Sequence, residues 1–181
     1  MSAPFFTIGH STRSLDEFVA LMREVDCALV VDIRTVPRSR TNPQFNKDTF
    51  PGALAAFDMS YEHVAALGGL RGKAKDLSPD LNGFWSNESF HNYADYALSS
   101  AFQDGLRHLI REGRRRRCAI MCSEAVWWRC HRRIVADYLI ANGETVFHIM
   151  GEGRLEPARL TPAADVQSAT TIYYPAEGAP R

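Results

Sequence analysis

The sequence predicts a single-domain, three-layer α/β/α protein built on a mostly parallel sheet. Two observations carry that expectation. Short runs of strand length alternate along the chain with segments whose apolar residues recur at helical spacing. Several of those runs (FFTI, ALVVDI, CAIMC) are apolar almost throughout, as strands covered on both faces require. With 181 residues and 45% hydrophobic content, the chain can bury one substantial core, which also argues for one domain.

Phe5–Ile8 is the first strand, ending at Gly9-His10-Ser11. Ser14 followed by Glu17 makes a capping box, and Leu15, Phe18, Val19, Met22 and Val25 mark one face of the helix it opens. Ala28–Ile33 is a second buried strand, running into Arg34. An arginine, proline and asparagine loop follows from Thr35 to Lys47, and loops of that length inside a domain are commonly functional. A short helix at Pro51–Asp58 and a strand at Met59–His63 lead into an irregular region that starts at Leu67-Gly68-Gly69 and runs to about Asn87. Two consecutive helices are expected at Glu88–Leu98 and Ser99–Glu112, the second started by Ser99 or Ser100 and stopped by Gly113. Cys118–Cys122 is a buried strand. The helix after it starts at Cys130 and ends at Asn142-Gly143, a C-terminal cap. Glu144–Ile149 supplies a last strand. The α/β domain is thus expected over residues 1–150. Residues 151–181, rich in proline and alanine, read as a surface extension in which Thr170–Tyr174 can add an edge strand.

Composition narrows the function. The 21 basic and 21 acidic residues cancel, so net charge gives no argument for nucleic acid or a membrane surface. No apolar run approaches a membrane span, and the start of the chain lacks a charged leader followed by an apolar stretch. Four cysteines in a chain of this size do not make a disulfide framework. A cytoplasmic protein with reduced thiols is the expectation.

In a parallel sheet all strands end on one edge, and open α/β sheets bind ligands there. On this reading the edge carries His10, Ser11 and Arg13, then Asp32 and Arg34, then Gly68, Gly69 and Arg71. Cys122, Ser123 and Glu124 follow, with His148 last. Cys130 and His131 sit at the start of the helix facing Cys122. Cys122 is a candidate reactive thiol, acidified by Arg129, His131 and the helix dipole, or else a small core residue. Its spacing to Arg129 is one residue longer than the Cys-x5-Arg loop of thiol phosphatases, so that motif is absent. Glu124 is a candidate general acid or base, or an ion-pair partner of Arg129 or Arg132. His10 is a candidate base or anion contact. Asp32 and Arg34, two apart in a strand, point the same way and either face the cleft or pair with each other. Arg34, Arg38 and Arg40 make a candidate anion clamp, since arginine forks match phosphate and carboxylate. Cys122, Cys130, His131 and His10 are soft ligands of the kind zinc takes, although Cys-x7-Cys-His is no standard ligand spacing. Gly68-Gly69 lacks the pattern of a nucleotide P-loop. Arg114–Arg117 reads as a solvated helix end, and Trp85, Trp127 and Trp128 as core or as stacking platforms.

Several stretches together resemble the bacterial and archaeal family described as domain of unknown function 488. They are TIGHSTRS (Thr7–Ser14), VDIRTVPRSRTNPQF (Val31–Phe45), LGGLRG (Leu67–Gly72), GFW (Gly83–Trp85), FHNYADY (Phe90–Tyr96), MCSEAVWWRCHRRIVADYL (Met121–Leu139) and VFHI (Val146–Ile149). The resemblance covers roughly residues 5 to 150. It implies a three-layer α/β fold and marks these polar positions as the family's site, but it implies no reaction. The Trp127-Trp128 pair is bulkier than that loop in the family and changes what a pocket there would admit.

Three functions follow as expectations. The first is an enzyme acting on a small anionic ligand, phosphorylated or nucleotide-like. It would use Glu124, Cys122 and His10, with Ser11, Arg13, Asp32, Arg34, Arg38, Arg40, Arg71, Cys130 and His131 around the ligand. The second is a non-catalytic module binding a nucleotide or nucleic acid at the same edge, with Arg114–Arg117 as an extra contact. The third is a metal-dependent enzyme with Cys and His ligands. The sequence assigns no cofactor and no oligomeric state.

Overall fold

The structure is a computed structural model and describes residues 2–179. Its elements are β1 (Phe5–Gly9), α1 (Leu15–Glu24), β2 (Leu29–Asp32), α2 (Phe50–Ala55), β3 (Ser60–His63), α3 (Glu88–Tyr96), α4 (Ser100–Arg115), β4 (Cys118–Cys122), α5 (Arg132–Ala141), β5 (Val146–Gly151), β6 (Arg154–Pro157), β7 (Asp165–Ser168) and β8 (Thr171–Tyr173). Six strands form one sheet in the order β3-β2-β4-β1-β5-β6, parallel except for β6, which returns antiparallel beside β5. This is the three-layer α/β fold.

Strand periodicity sorts the core into its two faces. Phe6, Ile8, Val30, Ala119 and Met121 pack with Phe18, Met22, Phe50 and Leu54 of α1 and α2. Leu29, Val31, Cys118, Ile120 and Cys122 pack with the α3, α4 and α5 side. The connection from β1 runs through α1 over to β2, whereas the one from β4 runs through α5 over to β5. Neighbouring strands β1 and β4 therefore send their chains to opposite faces and opposite directions. A crevice opens at such a switch point, beyond the carboxyl ends of the two strands.

Local signals explain most element ends. Ser14 caps α1 with both halves of the capping box present. Ser99 caps α4 by accepting the Phe102 N–H, which settles the choice between Ser99 and Ser100. Two expectations change. Gly113 does not stop α4, which continues to Arg115. A side chain there would collide with the Phe5 ring, whose Cε1 lies 2.2 Å from the place a Cβ would take, so this glycine serves packing rather than termination. The other change is α5, which starts at Arg132 rather than Cys130, because Cys130 is extended and His131 is the cap residue.

The segment after residue 150 does more than cover a surface. β6 extends the main sheet, while Thr171–Tyr173 pairs with β7 in a separate two-stranded sheet and not with the main one. Ile172 and Tyr174 are fully buried in the α3–α5 core. Asp137 of α5 ties the segment down, accepting the Thr161 N–H at 2.9 Å and the Tyr174 hydroxyl at 2.8 Å. Among the described residues no helix is long and apolar enough to cross a membrane.

Candidate functional site

The carboxyl edge holds a cavity of about 460 Å³. Its lining includes His10, Arg34, Arg38, Cys122, Glu124, Arg129, Cys130 and His131, with Thr35, Val36, Ser39, Gly69, Leu70, Ser89 and Phe90 completing the wall. The cavity therefore gathers residues from the ends of β1, β2 and β4, the 35–47 loop, the Gly68-Gly69 turn and the approach to α5.

The strand ends meet because pairing runs past them. Gly9 is in register with Cys122, the His10 N–H donates to Cys122 O at 2.8 Å, and the Ser11 N–H donates to Ser123 O at 3.0 Å. Gly9 permits this approach, since a Cβ there would lie 1.7 Å from Glu124 O. Gly69 has the same role on the far wall, where a Cβ would meet the His131 ring at 2.6 Å.

On one side of the edge, Arg34 is tied down. Its Nε donates to Asp32 Oδ1 at 2.9 Å and its Nη2 to Asp32 Oδ2 at 2.7 Å, with a further bond to Phe45 O. Nη1 faces His10 Nε2 at 3.3 Å. A guanidinium only donates and a carbonyl only accepts, so His10 carries its proton on Nδ1, donating to Ser11 O at 2.8 Å, and accepts from Arg34 through Nε2. Burial, helped by the Arg34 charge, holds this imidazole below its ordinary value and so neutral. Phe45, seated by a 3-10 turn at Pro43–Phe45, stacks on the ring at 4.4 Å. The 35–47 loop is held by its own bonds, Ser39 N–H to Asn46 Oδ1 at 2.7 Å and Lys47 N–H to Pro37 O at 3.0 Å.

On the other side lies a sulfur pair. Cys122 Sγ and Cys130 Sγ are 2.8 Å apart, and both thiols are free. Arg132 is wholly buried, donates from Nη1 to Cys122 Sγ at 2.7 Å and to Glu124 O at 2.7 Å, and from Nη2 to Ala125 O at 3.2 Å. Among the described residues no carboxylate pairs with it, and its Nε has no partner. The pair's two thiols shift apart. Burial and the neighbouring Cys130 push Cys122 well up. Burial also opposes a Cys130 thiolate, but the Cys122 S–H and Arg132 outweigh it and hold Cys130 below the ordinary thiol value. Cys27 and Cys118, away from the cavity, are pushed by burial up to about 11 and about 12. His131 Nδ1 lies 3.5 Å from Cys130 Sγ, and its Nε2 bonds Ile33 O at 3.0 Å.

The remaining candidates divide between the rim of the cavity and places away from it. Ser11 contributes its backbone, at φ 50°. Arg13 Nε reaches back to Gly9 O at 3.4 Å. Asp32 is enclosed beneath Arg34 and also accepts from the Tyr61 hydroxyl. Arg71 bonds Gly68 O and Ala65 O and lies over the Tyr96 ring at 3.8 Å. Arg40 is exposed and outside the lining. Of the expected clamp, Arg34 forms the fixed floor, and Arg38 stands at the rim in an exposed pair with Asp48. Glu124 is exposed at the mouth, and among the described residues it has no ion pair with Arg129 or Arg132. His148 is turned from the cavity, bonded to Thr7 Oγ1 at 2.7 Å and stacked on Trp127 at 4.6 Å, and burial with the Arg132 charge lowers it to about 3. Trp85 is buried between Phe90 and Tyr174, and Trp128 is exposed. Each of Arg114–Arg117 has a carboxylate within 4 Å, on Glu144, Glu112 or Asp26.

Cys122, Cys130 and His131 converge, yet among the described residues no group of three or more His, Cys, Asp and Glu side chains has the arrangement of a metal site. The residue that sequence reasoning passed over is Arg132, treated only as a partner for Glu124. Its signal was its place one turn before Ala136 on the buried face of α5, readable only once the helix start is known.

No curated protein and no solved structure matches the chain. The model of the family described as domain of unknown function DUF488 matches residues 14–139, more than half of the sequence, and the chain belongs to that family.

Proposed function

We propose that the protein is an enzyme that uses a cysteine thiolate on a small anionic ligand bound at the carboxyl edge of its sheet. One observation carries this reading: a wholly buried arginine whose only side-chain partner among the described residues is a thiol of the cavity wall. A guanidinium stays charged throughout the accessible pH range. Burying it uncompensated costs several kcal/mol, on the order of the penalty for any isolated ion. The Cys122–Cys130 pair is the group at hand to supply the balancing charge, as a monoanion sharing one proton.

Cys130 is then the nucleophile, with Cys122 donating its S–H and Arg132 fixing the charge. His10, neutral and with both nitrogens engaged, positions Arg34 and shapes the floor instead of acting as the base. Glu124 at the mouth is the acid or base for a ligand bound over the pair. Arg38 and Arg129 offer cations to a phosphate or carboxylate group, and Phe90 with Leu70 supports the less polar remainder. The chemistry this supports is thiol-based group transfer or hydrolysis. The paired state of Arg114–Arg117 gives no support to the nucleic-acid alternative.

Residue-resolved alkylation of the native protein against pH tests the reading. Cys130 should react as a thiolate at neutral pH, well below the ordinary thiol pKa of about 8.5. Cys27 and Cys118 should stay inert as internal references. Inorganic phosphate and nucleoside monophosphates should slow Cys130 alkylation in proportion to their binding. An inert Cys130, or one reacting no faster than Cys27, sinks the proposal.

A further inference from the structure

The sulfur pair also has the geometry of a redox centre. A disulfide bond is about 2.05 Å long, and Cys122 Sγ and Cys130 Sγ already stand 2.8 Å apart. Less than an ångström of movement between the sulfurs closes that gap. The two thiols belong to fixed elements, the last residue of β4 and the residue before the α5 cap. Both are buried in the wall of the cavity, where a small molecule would meet them.

The surroundings favour the reduced pair. Oxidation makes both sulfurs neutral and leaves the buried Arg132 charge, whose Nε already lacks a partner, without a counter-ion. A protein that stabilises its dithiol form in this way holds an easily reduced disulfide, the kind used in exchange and not in structural bracing.

We propose, building on the reading of Cys130 as a thiolate, that Cys122 and Cys130 form a dithiol centre exchanging with small disulfides that carry carboxylates. In the first step the Cys130 thiolate attacks one sulfur of the disulfide RSSR. The substrate S–S bond breaks, RS⁻ departs and takes the Cys122 proton, and Cys130 holds a mixed disulfide. The new Cys122 thiolate, accepting from Arg132, then attacks Cys130 Sγ, expels the second RS⁻ and closes the Cys122–Cys130 bond. The protein loses two electrons and the substrate gains them; excess thiol runs the sequence backwards. The choice of an anionic substrate follows from Arg38 and Arg129 in the cavity wall, and a cavity of about 460 Å³ suits a small molecule better than a protein segment.

The test equilibrates the full chain in glutathione buffers from reducing to oxidising, followed by acid quenching and peptide mass mapping. One intramolecular disulfide, Cys122–Cys130, should form, with Cys27 and Cys118 still as thiols. Cys122→Ser should accumulate one glutathione on Cys130, because the second step is blocked. Oxidised glutathione should react at least several-fold faster than cystamine, a cationic disulfide. Arg132→Met should move the equilibrium toward the disulfide by tenfold or more, about 30 mV. If that variant does not fold, the wild-type and Cys122→Ser arms still decide. No disulfide at any ratio, a glutathione adduct elsewhere than Cys130, or equal rates with cystamine overturns the proposal. A Cys130 that alkylates as a thiolate yet forms no disulfide overturns this inference alone, whereas an inert Cys130 overturns the enzyme reading as well.

Discussion

Arg34 and Arg132 are buried at the same sheet edge, on opposite walls of one cavity, and their surroundings differ in charge. Arg34 meets Asp32 through two N–H bonds, and two further donors go to Phe45 O and His10. That cluster is neutral in sum. Arg132 meets two backbone carbonyls and a sulfur, and its Nε N–H has no partner. That cluster is short of one negative charge. The neutral cluster shapes the floor, and the other imposes an ionisation state on its neighbours. Burial of charge alone therefore does not mark a reactive site; incomplete compensation does.

The largest effect expected from breaking this contrast is at Asp32. Asp32→Ala leaves Arg34 in the condition of Arg132 but without a thiol to ionise, so the unfolding free energy in urea should fall by ~3–5 kcal/mol. A loss of less than about 1 kcal/mol would show that Arg34 finds water instead, and the two clusters would then be alike.

Asp137 sharpens the comparison with the sign reversed, as a buried carboxyl held by the Thr161 N–H and the Tyr174 hydroxyl. Burial raises it from 3.8 to about 6. The folded state holds this proton more tightly than the unfolded chain. The resulting stabilisation is complete below pH about 4 and lost as pH rises through about 6, which integrates to roughly 3 kcal/mol. Asp137→Asn should flatten that fall, so that the variant gains on wild type between pH 5 and pH 8. Parallel pH profiles in urea unfolding would remove the buried carboxyl from the account.

The smallest effect belongs to the exposed pair. Arg38 and Asp48 retain 68% and 71% of their side-chain exposure. Arg38→Ala should change stability by no more than about 0.5 kcal/mol and show itself instead as weaker phosphate protection of Cys130. Unchanged protection would take Arg38 out of the ligand site.

The reading from sequence reached the fold because its signals were local: apolar runs for β1, β2 and β4, a capping box at Ser14, and the Asn142-Gly143 stop. The shared edge of His10 and Cys122 was legible for the same reason, since strand ends in a parallel sheet lie together, whereas the meeting of Cys122 with Cys130 was not, because only a loop joins them. Nor was Arg132. Arg129, Arg132 and Arg133 stand in one short basic stretch, and which of them turns inward depends on a helix start that the sequence placed two residues early. The burial of Ile172 and Tyr174 was equally hidden, because a proline- and alanine-rich tail carries no periodicity and its anchor, Asp137, lies more than thirty residues away. Nor does residue spacing show that Arg34 is occupied by Asp32; only the hydrogen bonds do.

The two margins of the sheet bear on how the protein behaves in concentrated solution. A bare edge strand is a template for another chain, and edge-to-edge growth is a common route to aggregation. Here β6 closes one margin with Arg154, Glu156 and a proline, Pro157, that has no N–H to offer. On the other margin, β3 carries Glu62, to which His108 of α4 reaches across. Charged residues and a proline on the margins work against strand addition, which matters more in a protein with equal numbers of acidic and basic residues and so little net charge to keep copies apart.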